Sequence, residues 1–341
     1  MVEGEEQKST GVLEVEKVRG KTTVTSAYAR YPLKFVPTSR ATDGDCAWVY
    51  ALGYGGGAVC GDRVTISCSV GEDCSAALTT QGSTKVYKRG SQGGSGDERL
   101  PGTDSRRASQ CISCSVAKGG LMAVIPDPVT CFEDASYRQH QQVKLVQGAS
   151  LVLVDWLTSG RMSRGEGWDL HRFESCNEVL VEAPAVSGRS LEWQHLIIDS
   201  LVLEDLPGFS VRERMLGMNV VGVVILVGPR VEDMVSALLE REARQRSSIP
   251  AGLGGGRGSK APSGDPQLAG TAGSGAEGGA ARKESGKVIS MFSRLQQGGD
   301  KGWCQGLVYR FAAERTEDAR EALHQLLLPL QDSLGGRAPY A

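Results

Sequence analysis

The chain is poor in histidine. It has four, at positions 140, 171, 195 and 324, with no HxxH or HExxH spacing, so no zinc-helix motif is present and none is assigned as a ligand. No GxxxxGK[ST] occurs, which excludes a phosphate-binding loop of the GTPase kind. A net charge of −2 gives no broad electrostatic case for nucleic acid or an anionic membrane. Long apolar runs are missing too. The long uncharged stretch from Met215 to Pro229 is broken by glycines and Asn219. It falls short of the roughly 20 residues a membrane helix needs. The opening MVEGEEQKST is acidic and lacks the apolar centre of a signal peptide. These absences predict a soluble, cytoplasmic protein.

Cysteine is plentiful but unorganised. Nine cysteines, an odd number without framework spacing, predict reduced thiols. Cys111 and Cys114 form one CxxC without a second. A structural zinc site wants four ligands, and a redox pair wants a helix N-terminus. Only Cys131 and His140 lie near in sequence, and the segment reads as strand. Two packed or surface thiols are the preferred reading.

Glycine is abundant, with 45 residues. Two polar stretches hold many of them. Residues 89–109 read as a surface loop, and residues 251–286, with 12 glycines and no aromatic, read as a disordered insert. Gly53-Tyr54-Gly55-Gly56-Gly57-Ala58 fits a dinucleotide-binding pattern in form, but a period-two strand follows it where a helix is required. A tight turn between strands is the better reading.

The rest alternates as strands do. Strands are predicted within 11–25, 31–37, 47–52, 64–70, 76–80, 84–87, 117–125, 141–146, 150–155, 178–183, 195–204 and 219–227, then at 288–292 and 307–311. Pro229 opens a helix with an apolar stripe at Val231, Met234, Val235, Leu238 and Leu239. A second begins near Thr316, with Ala319, Ala322, Leu323, Leu326 and Leu327. The expected fold is mainly β and largely antiparallel, with two amphipathic helices in the C-terminal third.

The chemistry concentrates at 143–168, VKLVQGASLVLVDWLTSGRMSRGEGW. Two apolar runs end at Asp155 and Trp156, and a glycine-rich charged rim follows. DWLTSGRMSRGEGW resembles the GR-x-x-RGE segment of the UreD family (UreH in some bacteria), the urease accessory proteins. GGGAVCGD at 55–62, LTTQGSTKVY at 78–87 and IPDPVTCF at 125–132 resemble three further blocks of that family, in the same order. The two glycine-rich stretches look like insertions relative to a compact family member. Cys60 stands where the family more often has a small residue.

The resemblance implies an elongated, mostly β single domain over about 11–335, after a disordered 1–10. It implies no catalysis and no tightly bound cofactor. It implies a scaffold that binds apo-urease and UreF, with UreG joining through UreF, and that passes transient Ni2+ through its interior. A route that must release nickel cannot be a closed cage of imidazole and thiolate, so oxygen ligands suit it. Asp62, Thr80, Gln81, Asp155 and Glu166 are the oxygen donors that the blocks supply. Arg161, Arg164 and Trp168 are assigned to an interface or to the scaffold. Two rival readings stay open. One is a β-sandwich hydrolase using Asp155 and Glu166, set against the plainer pairing of Asp155, Glu166 and Asp169 with Arg161 and Arg164 at the rim. The other is a zinc or redox protein using Cys111 and Cys114.

Overall fold

A computed structural model describes residues 9–38, 44–89, 107–183, 192–247, 287–297 and 304–341. The predicted insert at 251–286 lies outside them, as do residues 1–8 and 90–106 of the other two predicted loops. The strands are β1 Gly11–Val18, β2 Lys21–Ala29, β3 Leu33–Pro37, β4 Ala47–Gly53, β5 Arg63–Val70, β6 Ser75–Thr79, β7 Thr84–Val86, β8 Ala108–Val116 and β9 Leu121–Val124. They continue with β10 Val129–Cys131, β11 Ser136–Leu145, β12 Ser150–Thr158, β13 Arg172–Glu182, β14 Trp193–Leu203, β15 Val220–Val227, β16 Val288–Gln297 and β17 Cys304–Ala313. A short α1, Val211–Arg214, precedes the two longer helices, α2 Glu232–Ser247 and α3 Thr316–Leu327.

The protein is mostly β, as expected, but its sheets are mixed rather than largely antiparallel. One sheet runs β14-β13-β11-β8-β5-β1-β2 and the other β16-β17-β15-β12-β9-β6-β4-β3, with β7 and β10 attached to the second. From β4 to β13 the chain crosses from sheet to sheet with nearly every strand. Neighbours within a sheet are therefore separated by a strand of the opposite sheet, and they run parallel: β5, β8, β11 and β13 in one, β4, β6, β9 and β12 in the other. Parallel neighbours need a crossover, and here a strand of the facing sheet replaces the customary helix. Antiparallel pairing is confined to the ends of this stack.

Three local boundaries also differ from expectation. The first predicted strand is a hairpin that turns at Arg19 and Gly20, both at positive φ. The predicted strand at 117–125 is a turn followed by β9, because β8 ends at Val116. Ala108 and Ser109, placed in the loop, already belong to β8.

The two sheets face each other, and α2 and α3 cover the far face of the second. β12 lies in the middle layer and is buried on both faces. That burial explains its continuous apolar run. Leu151 and Leu153 face the first sheet, while Val152, Val154 and Trp156 join the helix-side core with Leu323 and Leu327. Between the sheets the apolar core falls into two parts. One contains Val143, Leu151, Leu153 and Val179, and the other Tyr137, Leu157, Trp168 and Phe173.

Leu153 is fully buried in the first of these. Replacing it with alanine is expected to cost about 2–5 kcal/mol, since the middle layer cannot collapse onto the void. Urea unfolding of the purified chain measures this, and a loss below about 1 kcal/mol would contradict a tight middle layer.

Candidate functional site

The gap between the two apolar parts is filled by polar side chains, set there by strand register. On β11 the inward positions run Tyr137, Gln139, Gln141, Val143, and on β13 they run Phe173, Ser175, Asn177, Val179. These pair row by row, so two polar rows lie between two apolar ones. β12 contributes Asp155 at the matching level, between Leu153 and Leu157.

Asp155 is 8% exposed and accepts three hydrogen bonds from the opposite sheet. Gln139 Nε2 donates to Oδ1 at 2.5 Å, while Ser175 Oγ at 2.5 Å and Asn177 Nδ2 at 2.9 Å donate to Oδ2. Gln141 Nε2 in turn donates to Asn177 Oδ1 at 2.9 Å. A buried carboxylate needs such donors, because leaving it bare is far costlier than leaving a neutral group unpaired.

Two cavities meet at this residue. The larger, about 340 Å³, is lined by Asp62, Thr80, Gln81, Asp127, Gln141 and Asp155 among others. The smaller, about 200 Å³, has Asp155 on one side and Asp199 and Arg310, an ion pair, on the other. Four of the five oxygen donors singled out from the sequence therefore share one cavity. Asp62 Oδ2 also accepts the Val59 amide at 2.9 Å, and Thr80 Oγ1 accepts the Asp127 amide at 2.8 Å. Turns hold both side chains at the cavity wall. At the same wall Arg320 pairs with Asp127 and lies 5.9 Å from the Trp156 ring. Trp156 Nε1 and the Tyr340 hydroxyl both donate to the Pro126 carbonyl, at 2.9 and 2.7 Å.

Glu166 is not among the residues lining either cavity. Its carboxylate takes both ends of the Arg161 guanidinium, which lies 4.2 Å from the Phe132 ring centre. Arg161 holds the Glu166 carboxyl below its usual range. Asp169 is bound by Arg212 at 2.8 Å, and Arg164 is exposed. Trp168 is 3% exposed at a φ of 64°, with Nε1 donating to the Met218 carbonyl at 2.8 Å. A bulky residue held in the left-handed region marks a constrained turn. The GR-x-x-RGE segment is thus an ion-paired buckle that fixes the end of β12. The hydrolase reading needs both carboxylates in one pocket, and these two are in different surroundings.

The CxxC reading fails on geometry. Residues three apart in a strand point to opposite faces. Cys114 faces the core beside its register partner Cys68, whereas Cys111 is on the outer face. Gly53–Ala58 is a short 3-10 turn, Tyr54–Gly56, with no α-helix after it. Gln139, Gln141, Ser175 and Asn177 were not anticipated. Their signal is inward polarity at period two, visible only once the inward face is known.

Burial is the largest influence on the Asp155 carboxyl and pushes its pKa up, against the pull of Ser175, Asn177 and Gln139. A carboxyl whose folded pKa exceeds its unfolded value supports the fold at low pH and costs stability as pH rises through the folded value. Thermal melts of the wild type and Asp155→Asn should therefore converge or favour the wild type near pH 4, the ordinary aspartate value. The wild type should then lose ground as pH rises above that value, until the folded carboxyl is itself ionised. A wild-type advantage that grows with pH would show a carboxyl that prefers to be charged.

Comparison with known proteins bears on the same blocks. The family described as "UreD urease accessory protein" matches residues 7–341. "Urease accessory protein D" of Arabidopsis thaliana is 33% identical over 335 residues, covering 98% of this chain and all of that one. "Urease accessory protein D" of Oryza sativa subsp. indica is 40% identical over 253 residues, 72% of this chain and 75% of its own. "Urease accessory protein UreD" of Anaeromyxobacter is 32% identical over 243 residues, 71% of this chain and 73% of its own.

Proposed function

The chain belongs to the UreD family of urease accessory proteins, and from that premise we propose that it is a scaffold that carries nickel to apo-urease through its own interior. It serves urease maturation as an accessory protein and not as an enzyme. In this reading it binds apo-urease and UreF, and UreF brings UreG. No helix among the described residues is long and apolar enough to cross a membrane.

The observation that carries the proposal is the position of Asp155. Two cavities approach this one buried carboxylate from different sides, through walls furnished with oxygen. Nickel is bound tightly by imidazole and thiolate and more weakly by carboxylate, amide and hydroxyl oxygen. A transit site needs enough affinity to draw the ion from water and too little to keep it. Asp62 at the larger cavity supplies negative charge at entry, since Asp127 beside it is already paired with Arg320. Thr80, Gln81, Gln139 and Gln141 supply neutral oxygens, and Asp155 supplies the buried charge that makes the middle of the route tolerable to a dication. At 8% exposure the carboxylate is shielded from bulk water, so its attraction for a cation is stronger than at a surface. Glu166 does not enter the route, because Arg161 already neutralises it.

Activation of apo-urease with nickel, UreF and UreG tests this. Asp62→Ala and Asp155→Asn are each expected to lower the nickel loaded per urease about tenfold or more. Both variants should still co-purify with UreF and apo-urease. Full nickel loading by both would end the proposal. Loss of loading that follows loss of co-purification would place these residues in assembly instead.

A further inference from the structure

The two strands that turn polar side chains toward Asp155 turn a different set to the outside. On β11, His140 stands between Gln139 and Gln141. On β13, Cys176 stands between Ser175 and Asn177, and Glu178 follows two residues on. His140 and Cys176 are direct register partners, and Glu178 pairs with Gln142 in the next row. All three side chains are half-buried, on the face opposite the packed core.

Their donor atoms converge. His140 Nε2 is 3.2 Å from Glu178 Oε1, Cys176 Sγ is 3.9 Å from the same oxygen, and all three donors lie within 4.8 Å of one another. Metal bonds of about 2.0 Å to nitrogen and oxygen and 2.3 Å to sulfur, at tetrahedral angles, set donors about 3.3–3.6 Å apart. The observed spacing needs only small side-chain adjustments to reach that. Supporting contacts are in place as well. Gln142 Nε2 donates to Glu178 Oε2 at 3.0 Å and leaves Oε1 for the cluster, and Ser200 Oγ lies 3.5 Å from Cys176 Sγ. Such partners orient ligands and raise metal affinity. Gln142 and His140 hold the Glu178 carboxyl below its usual range, so it is ionised at neutrality. Among the described residues this is the group of histidine, cysteine and acidic side chains whose geometry could hold a metal ion.

We propose that His140 Nε2, Cys176 Sγ and Glu178 Oε1 form a surface site for one divalent transition-metal ion of the Ni2+ or Zn2+ class, with water completing its coordination. Three mixed donors give an open site, as in catalytic rather than structural zinc centres. Its chemistry is opposite to that of the interior route. Imidazole and thiolate retain such an ion where oxygen releases it. On binding, the Cys176 thiol gives up its proton to solvent and the sulfur forms the metal bond. The site stands independently of the interior route, which shares none of its ligands.

Co2+ titration of the purified full chain provides the test, because cobalt bound to thiolate absorbs in the near ultraviolet. One thiolate-to-cobalt band per chain is expected, displaced by both Zn2+ and Ni2+; displacement by only one of them identifies the preferred ion. Cys176→Ser should abolish the band. His140→Ala and Glu178→Gln should each weaken cobalt binding about tenfold or more. Asp155→Asn should leave the band intact, which separates this site from the interior route. Circular dichroism checks folding. Should Cys176→Ser not fold, the other two variants decide by affinity. A wild-type chain that saturates with cobalt without a thiolate band, or a band that survives Cys176→Ser, overturns the assignment.

Discussion

The carboxylate of Asp155 is held by side chains of the facing sheet, and that bond network across the sandwich is the constraint on which the interior depends. Moving a charge from water into a protein costs several kcal/mol unless donors surround it. Here Gln139, Ser175 and Asn177 supply them. A sandwich joined only for stability would place a leucine at this level, since apolar replacements of buried polar networks are often at least as stable. The polar belt therefore costs stability, and it separates two apolar clusters that could otherwise have merged. Such a sacrifice is expected of functional sites.

The topology makes the belt economical to build. Because β11 and β13 are parallel and in register over ten residues, one polar residue per strand at each level lines up into a row without further design. The same register governs the outer face. A slip of one residue would exchange His140 and Cys176 for Gln139 and Ser175, sending each set to the wrong side. Both faces thus depend on one alignment, and the buckle of Arg161, Glu166 and Trp168 at the end of β12 helps to fix it.

Much of this was legible in the sequence. Most strands announced themselves by alternation or by short apolar runs between turn residues, and the two C-terminal helices by their stripes, but β10 and the hairpin partner β2 did not. Asp155 stood out because the chemistry changes abruptly there, at the end of a short apolar run inside a family block. The family blocks carried Asp62, Thr80 and Gln81, which the fold brings to one cavity. Pairing direction was not legible, since strands with short turns look alike whether the chain doubles back or crosses to a facing sheet. Nor was the belt. RQHQQ at 138–142 reads as an exposed polar strand, and only the placement of Tyr137, Val143 and Leu145 shows which glutamines face inward. Glu166 was drawn into the donor set by its block, yet Arg161, five residues before it, claims it. The cluster of His140, Cys176 and Glu178 spans two strands separated by a third in the chain, a distance no spacing rule covers.

The central claim is that nickel passes Asp155 on its way to urease, held there by oxygen too weakly to stay. Asp155→Cys tests it most directly, since a thiolate at that point would bind the ion and keep it. Nickel content and urease activity would be measured in the complex of this variant with UreF, UreG and apo-urease, on a Cys176→Ser background so that the outer cluster cannot hold the ion instead. The account predicts about one nickel retained per accessory chain and a urease left underloaded. Normal urease activation, with no nickel held by the variant, would contradict it.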